Sequence, residues 1–191
     1  EVKFKKFNFF MEIFDKKKVV KNLLEIGCGQ GRLLKLIKNE FRLNKKNVYG
    51  IEPSKKIYKF LKKQNFANIS RAFLKDLKAN KLFDLIVMDN VFEHLDHPNN
   101  ELKKIRKILS ENGQLYISVP NIFKLKFEYE DPMNHTCNYY FKNLKYVLLK
   151  NGFLVKKILF KDSVINLLAT KSKIINKRKI KFSSDNKKFS K

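Results

Sequence analysis

Glu25-Ile26-Gly27-Cys28-Gly29-Gln30-Gly31 joins two runs of different period. Before it, NLLEIGC (22–28) has the length and flanks of a buried strand. After it, RLLKLIKNEF (32–41) puts Leu33, Leu36, Ile37 and Phe41 at helical spacing. Glycines at such a junction let the backbone turn sharply and approach a ligand closely. A second acid, Glu52, closes the next apolar run, 21 residues after Gly31. Open α/β sheets bind ligands at the carboxyl ends of their strands, where a carboxylate can accept hydrogen bonds from both hydroxyls of a ribose. A dinucleotide turn of the form G-x-G-x-x-G would need glycine at position 32, which is Arg32. The spacing is instead E-x-G-x-G-x-G, and the Glu25 carboxylate would repel a pyrophosphate.

Outward from this turn, strand and helix patterns alternate. NVYGIEP (47–53) reads as a second strand stopped by Pro53, and Lys55–Gln64 as a helix with Ile57, Phe60 and Leu61 on one face. Ile69–Phe73 is a short third strand and FDLIVMDN (83–90) a fourth. Glu101–Ser110 is a helix, Asn112-Gly113 a turn, and QLYISVP (114–120) a fifth strand. Residues 121–140 have no clean period and read as a loop over the site. Phe141–Lys150 returns to helix, ended by Asn151-Gly152. FLVKKILF (153–160) and VINLLAT (164–170) are strands whose link is too short for a parallel crossover, so they form an antiparallel hairpin. The expected fold is α/β: a Rossmann-like, seven-stranded, mostly parallel sheet with helices on both faces and a C-terminal antiparallel hairpin.

With these residues in view, the chain resembles class I S-adenosylmethionine-dependent methyltransferases over roughly residues 20–171. Within that group it is similar to the small-molecule branch that includes ubiquinone-biosynthesis O-methyltransferases. The resemblance implies S-adenosylmethionine as cofactor. It assigns Glu25, Gly27, Cys28, Gly29 and Gly31 to the methionine part and Glu52 to the ribose. It places Asp76 near the adenine amino group with Leu77 beside it, and Asp89 and Asn90 along the methyl-donor pocket. A carboxylate at Glu25 suits the cationic amino-acid half of a sulfonium cofactor.

The acceptor side begins at Asp89-Asn90-Val91-Phe92-Glu93-His94-Leu95, followed by Asp96-His97-Pro98. Methyltransferases of DNA and protein amines typically carry a D/N-P-P-Y/F turn here. Asn90-Val91-Phe92 has no proline, which argues against a planar amine acceptor. Transfer to a hydroxyl needs positioning and a base that titrates near neutrality, which favours histidine. The three histidines are His94, His97 and His135. His135, in the irregular segment after the fifth strand, is the expected base, with His94 and Glu93 as catalytic partners; His97 reads as plain loop. Glu93, His94 and His135 are also candidate ligands for a divalent metal, as in relatives with an E-x-x-E-H cluster. The first Glu of that cluster is replaced here by Asn90, a weaker ligand for a hard cation, so a metal is the less favoured expectation.

Composition sets the remaining bounds. A chain of 191 residues, 43% hydrophobic and 13% aromatic, suits one domain with a sizeable core. The net charge is 43 − 18 = +25, but 38 of the basic residues are Lys and only five Arg. That bias fits A+T-rich codons and a solvated surface better than Arg-based reading of nucleic acid. The expected organisation is an N-terminal helical segment at 1–20, the methyltransferase domain at 21–171, and a basic, disordered tail at 172–191 carrying a net +7. Phe7, Phe10, Met11 and Phe14 make the first segment a helix packed over the cleft as a lid, or a basic amphipathic segment at a membrane surface. The chain lacks an initiator Met, and whether an N-terminal element is missing is left open. Two cysteines without metal spacing, and no run of membrane length, point to a cytoplasmic protein. The leading expectation is methyl transfer to oxygen of a small-molecule or lipid-/sugar-linked acceptor. The alternatives are an RNA methyltransferase using the basic surface and a non-catalytic binding subunit. Oligomeric state is left open.

Overall fold

The computed structural model describes residues 2–78, 80–124 and 136–172. Seven strands form one sheet: β1 (Leu23–Ile26), β2 (Val48–Ile51), β3 (Asn68–Ser70), β4 (Phe83–Asp89), β5 (Leu109–Pro120), β6 (Phe153–Lys161) and β7 (Val164–Lys171). Their order across the sheet is β3-β2-β1-β4-β5-β7-β6. The β1–β2, β1–β4, β2–β3 and β4–β5 pairs are parallel. β7 runs antiparallel between β5 and β6. The hairpin link is tight because Asp162 adopts a φ of 53°, the left-handed geometry a short β-turn needs. The helices are α1 (Val2–Ile13), α2 (Arg32–Glu40), α3 (Lys55–Gln64), α4 (Pro98–Ile108) and α5 (Phe141–Lys150).

Side-chain alternation along the central strands divides the core into two layers. Leu24, Ile26, Ile86, Met88, Leu115 and Ile117 face α4 and α5, meeting Leu102, Ile105, Leu144 and Leu148. Leu23, Leu85, Val87, Tyr116 and Leu168 face the other way, onto Phe10, Phe14, Leu34 and Ile37 of the α1–α2 side. Glu25 and Asp89 share the parity of Leu23 and Val87, so they belong to this second face. Glu25 pairs in register with Val87, two residues short of Asp89.

Three boundaries differ from expectation. α4 starts at Pro98 rather than Glu101, because proline at the first turn brings a preset φ and needs no intrahelical donor there. The Asn112-Gly113 turn is absorbed into a bulge: Phe83 pairs with Leu109 and Leu85 with Gln114, so residues 110–113 arch out of the ladder. β3 stops at Ser70. Beyond it the chain leaves the sheet, and the Arg71 side chain donates from Nε to the Pro53 carbonyl at 3.3 Å.

α1 is built into the core. Phe10 is fully buried, with its ring 5.3 Å from that of Tyr116 in an edge-on contact and 5.2 Å from that of Phe14. Phe14 in turn meets Phe41 at the end of α2 in a tilted contact, with ring centroids 4.9 Å apart. Tyr116 keeps its buried hydroxyl satisfied by donating to Asn166 Oδ1 at 2.8 Å. Phe10→Ala should therefore cost about 3–5 kcal/mol of global stability in a urea titration. Val19→Ala, at a 73% exposed position nearby, should change it by less than about 0.5 kcal/mol.

Candidate functional site

The carboxyl ends of β1, β2 and β4 open into one cleft with two lobes that meet at Gly27. One lobe, a cavity of ≈ 320 Å³, is lined by Lys6, Glu25, Gly27, Cys28, Gly29, Arg32 and Asp89. The other, of ≈ 350 Å³, is lined by Gly27, Glu52, Phe73, Asn90, Val91 and His94, among others. A larger groove of ≈ 720 Å³ lies at the opposite end of the strands, around Asp15, Gln114 and Lys156, away from the glycine turn.

The turn is shaped by contacts on either side. Cys28 N–H donates to the Ile51 carbonyl at 3.0 Å, tying the turn to the end of β2. A Cβ on Gly27 would lie 2.5 Å from Val91 Cγ2, so glycine lets the turn after β4 close against the turn after β1. Gly29 has a φ of 49°, and nothing lies within 4 Å of where its Cβ would be. It borders open cleft, where a ligand can approach the main chain. Its N–H donates to Glu52 Oε2 at 2.9 Å, and Ser54 N–H donates to Glu52 Oε1 at 2.9 Å. Each oxygen of this buried carboxylate is thus anchored by one main-chain donor and keeps acceptor capacity toward the second lobe.

The first lobe is acidic and under-satisfied. Glu25 is 3% exposed, and its Oε2 has no hydrogen-bond partner. Burial first, and the Asp89 charge second, hold its carboxyl well above the ordinary carboxylate range. Asp89 accepts from Lys6 Nζ at 2.6 Å through Oδ2, while its buried Oδ1 is unpartnered. Asn90 has a φ of 53° and a buried, unpartnered Oδ1. Burial also raises the Cys28 thiol, with Glu25 and Glu52 adding to the effect, so it is a neutral wall rather than a nucleophile. Orphaned acceptors grouped at strand ends are what a cationic, hydroxyl-bearing ligand would satisfy. The donor set fits S-adenosylmethionine on that ground.

Glu25, Gly27, Cys28, Gly29, Glu52, Asp89 and Asn90 are brought together in the cleft. Gly31 stands one turn back, where a Cβ would press on Leu61 and Phe66 at 2.7 and 2.8 Å. Asp76 and Leu77 are not among the residues that line the two lobes. The turn Leu74–Asp76 carries Asp76 to an exposed position, and Leu77 packs against the α4–α5 core layer and lines a separate cavity beside Tyr49 and Lys81. The cleft wall at this point is Ala72, Phe73 and Leu74, because β3 ends early and the chain crosses the lobe as it enters the turn. Lys6, Arg32 and Val91 were also missed: Lys6 depends on how α1 docks, which only the Phe periodicity hinted at.

On the acceptor side, His94 is exposed and lines the Glu52 lobe. Glu93 is 2% exposed and turned inward, so the expected acceptor-facing carboxylate is corrected to a buried one. The turn Phe92–His94 puts consecutive side chains on different sides. Its carbonyl accepts from Cys137 N–H at 3.0 Å, and the Phe92 and Tyr139 rings stack at 5.1 Å, so residues 137–139 rest on this turn. His135 and the neighbouring residues 125–134 lie outside the described residues, as does the tail beyond Ser172. Among the described residues no three His, Cys, Asp or Glu side chains converge as a metal site. No helix among them is long and apolar enough to cross a membrane.

Residues 4–157 match the family model of a methyltransferase domain. The chain belongs to that methyltransferase family. It is 36% identical over 104 residues to a ubiquinone biosynthesis O-methyltransferase of Pelagibacter ubique, covering 52% of this chain and 42% of that protein. It is 28% identical over 148 residues to probable polyketide synthase 23 of Dictyostelium discoideum, covering 67% of this chain and 6% of that protein. The chain therefore spans less than half the length of these relatives. A solved S-adenosylmethionine-dependent methyltransferase from Clostridium acetobutylicum superimposes with a TM-score of 0.71 at 13% identity, over 86% of this chain and 90% of that one. That likeness shows the shared fold.

Glu93 provides a test of the site's electrostatics. Burial lifts its carboxyl from 4.5 to about 7, with both oxygens unpartnered. The folded state then holds a proton that the unfolded chain releases, so stability falls as pH rises from the unfolded value through the folded one. Glu93→Gln removes that loss. The variant should gain roughly 2–3 kcal/mol on wild type between pH 4.5 and pH 8 in paired thermal or urea melts. A pH-independent difference would contradict the buried carboxyl.

Proposed function

We propose that this chain is an S-adenosylmethionine-dependent methyltransferase acting at oxygen on a small-molecule or lipid-/sugar-linked acceptor. The observation that carries the reading is the two-lobed cleft. One lobe has unpartnered carboxylate oxygens at Glu25 and Asp89, suited to a cation. The other has Glu52 anchored through one main-chain donor on each oxygen, suited to a pair of ribose hydroxyls. When bound, the cofactor supplies an activated methyl group on a sulfonium. Gly27 and Gly29 let it lie against the main chain, Glu52 takes the ribose, and Ala72 to Leu74 flank the base. Asp89 and Asn90 border the methyl end.

The acceptor enters beside the turn Phe92–His94. His94 stands at the rim of the cleft and would orient the acceptor hydroxyl; His135 would hold the proton that this hydroxyl gives up. Glu93 lies beneath the turn, buried and with both side-chain oxygens unpartnered, while its main-chain carbonyl accepts from Cys137 N–H. Attack at oxygen is supported by the missing prolines in Asn90-Val91-Phe92 and by the name of the Pelagibacter relative.

The test is calorimetric titration with S-adenosylhomocysteine, with NAD as control. Micromolar-range binding of the first and none of the second is expected. Glu52→Ala should weaken S-adenosylhomocysteine by about 1–3 kcal/mol, the range for hydrogen bonds to a charged group. Equal affinity in the variant would remove Glu52 from the ribose, and binding of NAD alone would overturn the cofactor.

A further inference from the structure

We propose that Lys6 and Asp89 form a clamp for the zwitterionic amino-acid end of the cofactor, with Lys6 delivered by α1. This rests on the S-adenosylmethionine reading above. Strand alternation puts Glu25 and Asp89 on the sheet face that α1 covers. The helix is fixed there by Phe10 and Phe14, and by a 2.7 Å ion pair between Lys5 and Asp162 at the β6–β7 turn. Lys6 is half-buried and reaches in the other direction, into the ≈ 320 Å³ lobe.

The pairing leaves complementary ends free. Asp89 uses Oδ2 on Lys6 at 2.6 Å and keeps Oδ1 buried and unpartnered. An ammonium has three donors, and this bond takes one. The pair therefore offers the lobe one cationic donor and one anionic acceptor side by side. An α-amino acid presents the inverse pattern, with its ammonium and carboxylate on the same carbon. Glu25 adds a second acceptor for the ammonium. A lobe whose acids are Glu25 and Asp89 would repel the cofactor's carboxylate unless a cation stood among them. The lining residues supply two, Lys6 and Arg32. Arg32 is exposed in the first turn of α2, whereas the Lys6 ammonium is tied to Asp89 at 2.6 Å. Lys6 is thus a binding and positioning residue, and it makes the lid helix part of the cofactor site.

The experiment compares two ligands on the full chain by calorimetry. S-adenosylhomocysteine carries the amino-acid end; 5′-methylthioadenosine keeps the nucleoside and thioether but lacks that end. In Lys6→Met the first should weaken roughly ten- to hundredfold and the second by less than about twofold, the loss expected of one charge-assisted hydrogen bond. Lys6→Arg should restore most of the difference, and Arg32→Met should show a smaller one. Unchanged S-adenosylhomocysteine binding in Lys6→Met would overturn the clamp. So would a parallel loss of both ligands, which would mark α1 as a purely structural cover, or a selective loss carried by Arg32→Met instead. Failure of the wild-type chain to bind either ligand would sink the cofactor reading itself, a separate result.

Discussion

Taking carboxylates out of water at the ends of neighbouring strands is costly unless something cationic or hydrogen-bonding meets them. Glu25, Glu52 and Asp89 are set there by the pleat and the parallel register, and each is dealt with differently. Glu52 is anchored by two main-chain donors. Asp89 is matched by Lys6 on one oxygen only. Glu25 is buried with one oxygen unpartnered, and burial and the Asp89 charge raise its carboxyl above the ordinary range. The rest of the site follows from this uneven settlement. The cleft is poised for a ligand with a cation at one end and hydroxyls at the other.

The same constraint explains why α1 belongs to the functional unit. Its aromatic side seals the α1–α2 core layer against Tyr116, and its Lys6 balances the acids that the sheet exposes at that edge. Packing and electrostatics on one helix are thereby linked. A change that loosens Phe10 would also move the Lys6 ammonium. The family match, which begins at residue 4, includes this helix.

Much of this was legible from residue patterns, and the failures have physical causes. The E-x-G-x-G-x-G turn and Glu52 depend only on local strand–turn–helix geometry, so their placement in the cleft follows from sequence. The hairpin followed from a link too short to cross over. Asp76 stands outside the cleft lining because β3 ends at Ser70, three residues before its apolar pattern does; the chain then crosses the cleft as Ala72, Phe73 and Leu74. Glu93 was read as facing the acceptor because adjacency to His94 says nothing about which side of a short turn a residue occupies. Lys6 was invisible because 83 residues separate it from Asp89, and no period encodes how a terminal helix docks.

The central claim is that the buried carboxyls at the strand ends await a cation. Calorimetric titration of S-adenosylmethionine into the wild-type chain and into Glu25→Gln reads this directly. The account predicts clearly weaker binding in Glu25→Gln, the loss expected of one charge-assisted hydrogen bond. Equal affinity in the two proteins would contradict it.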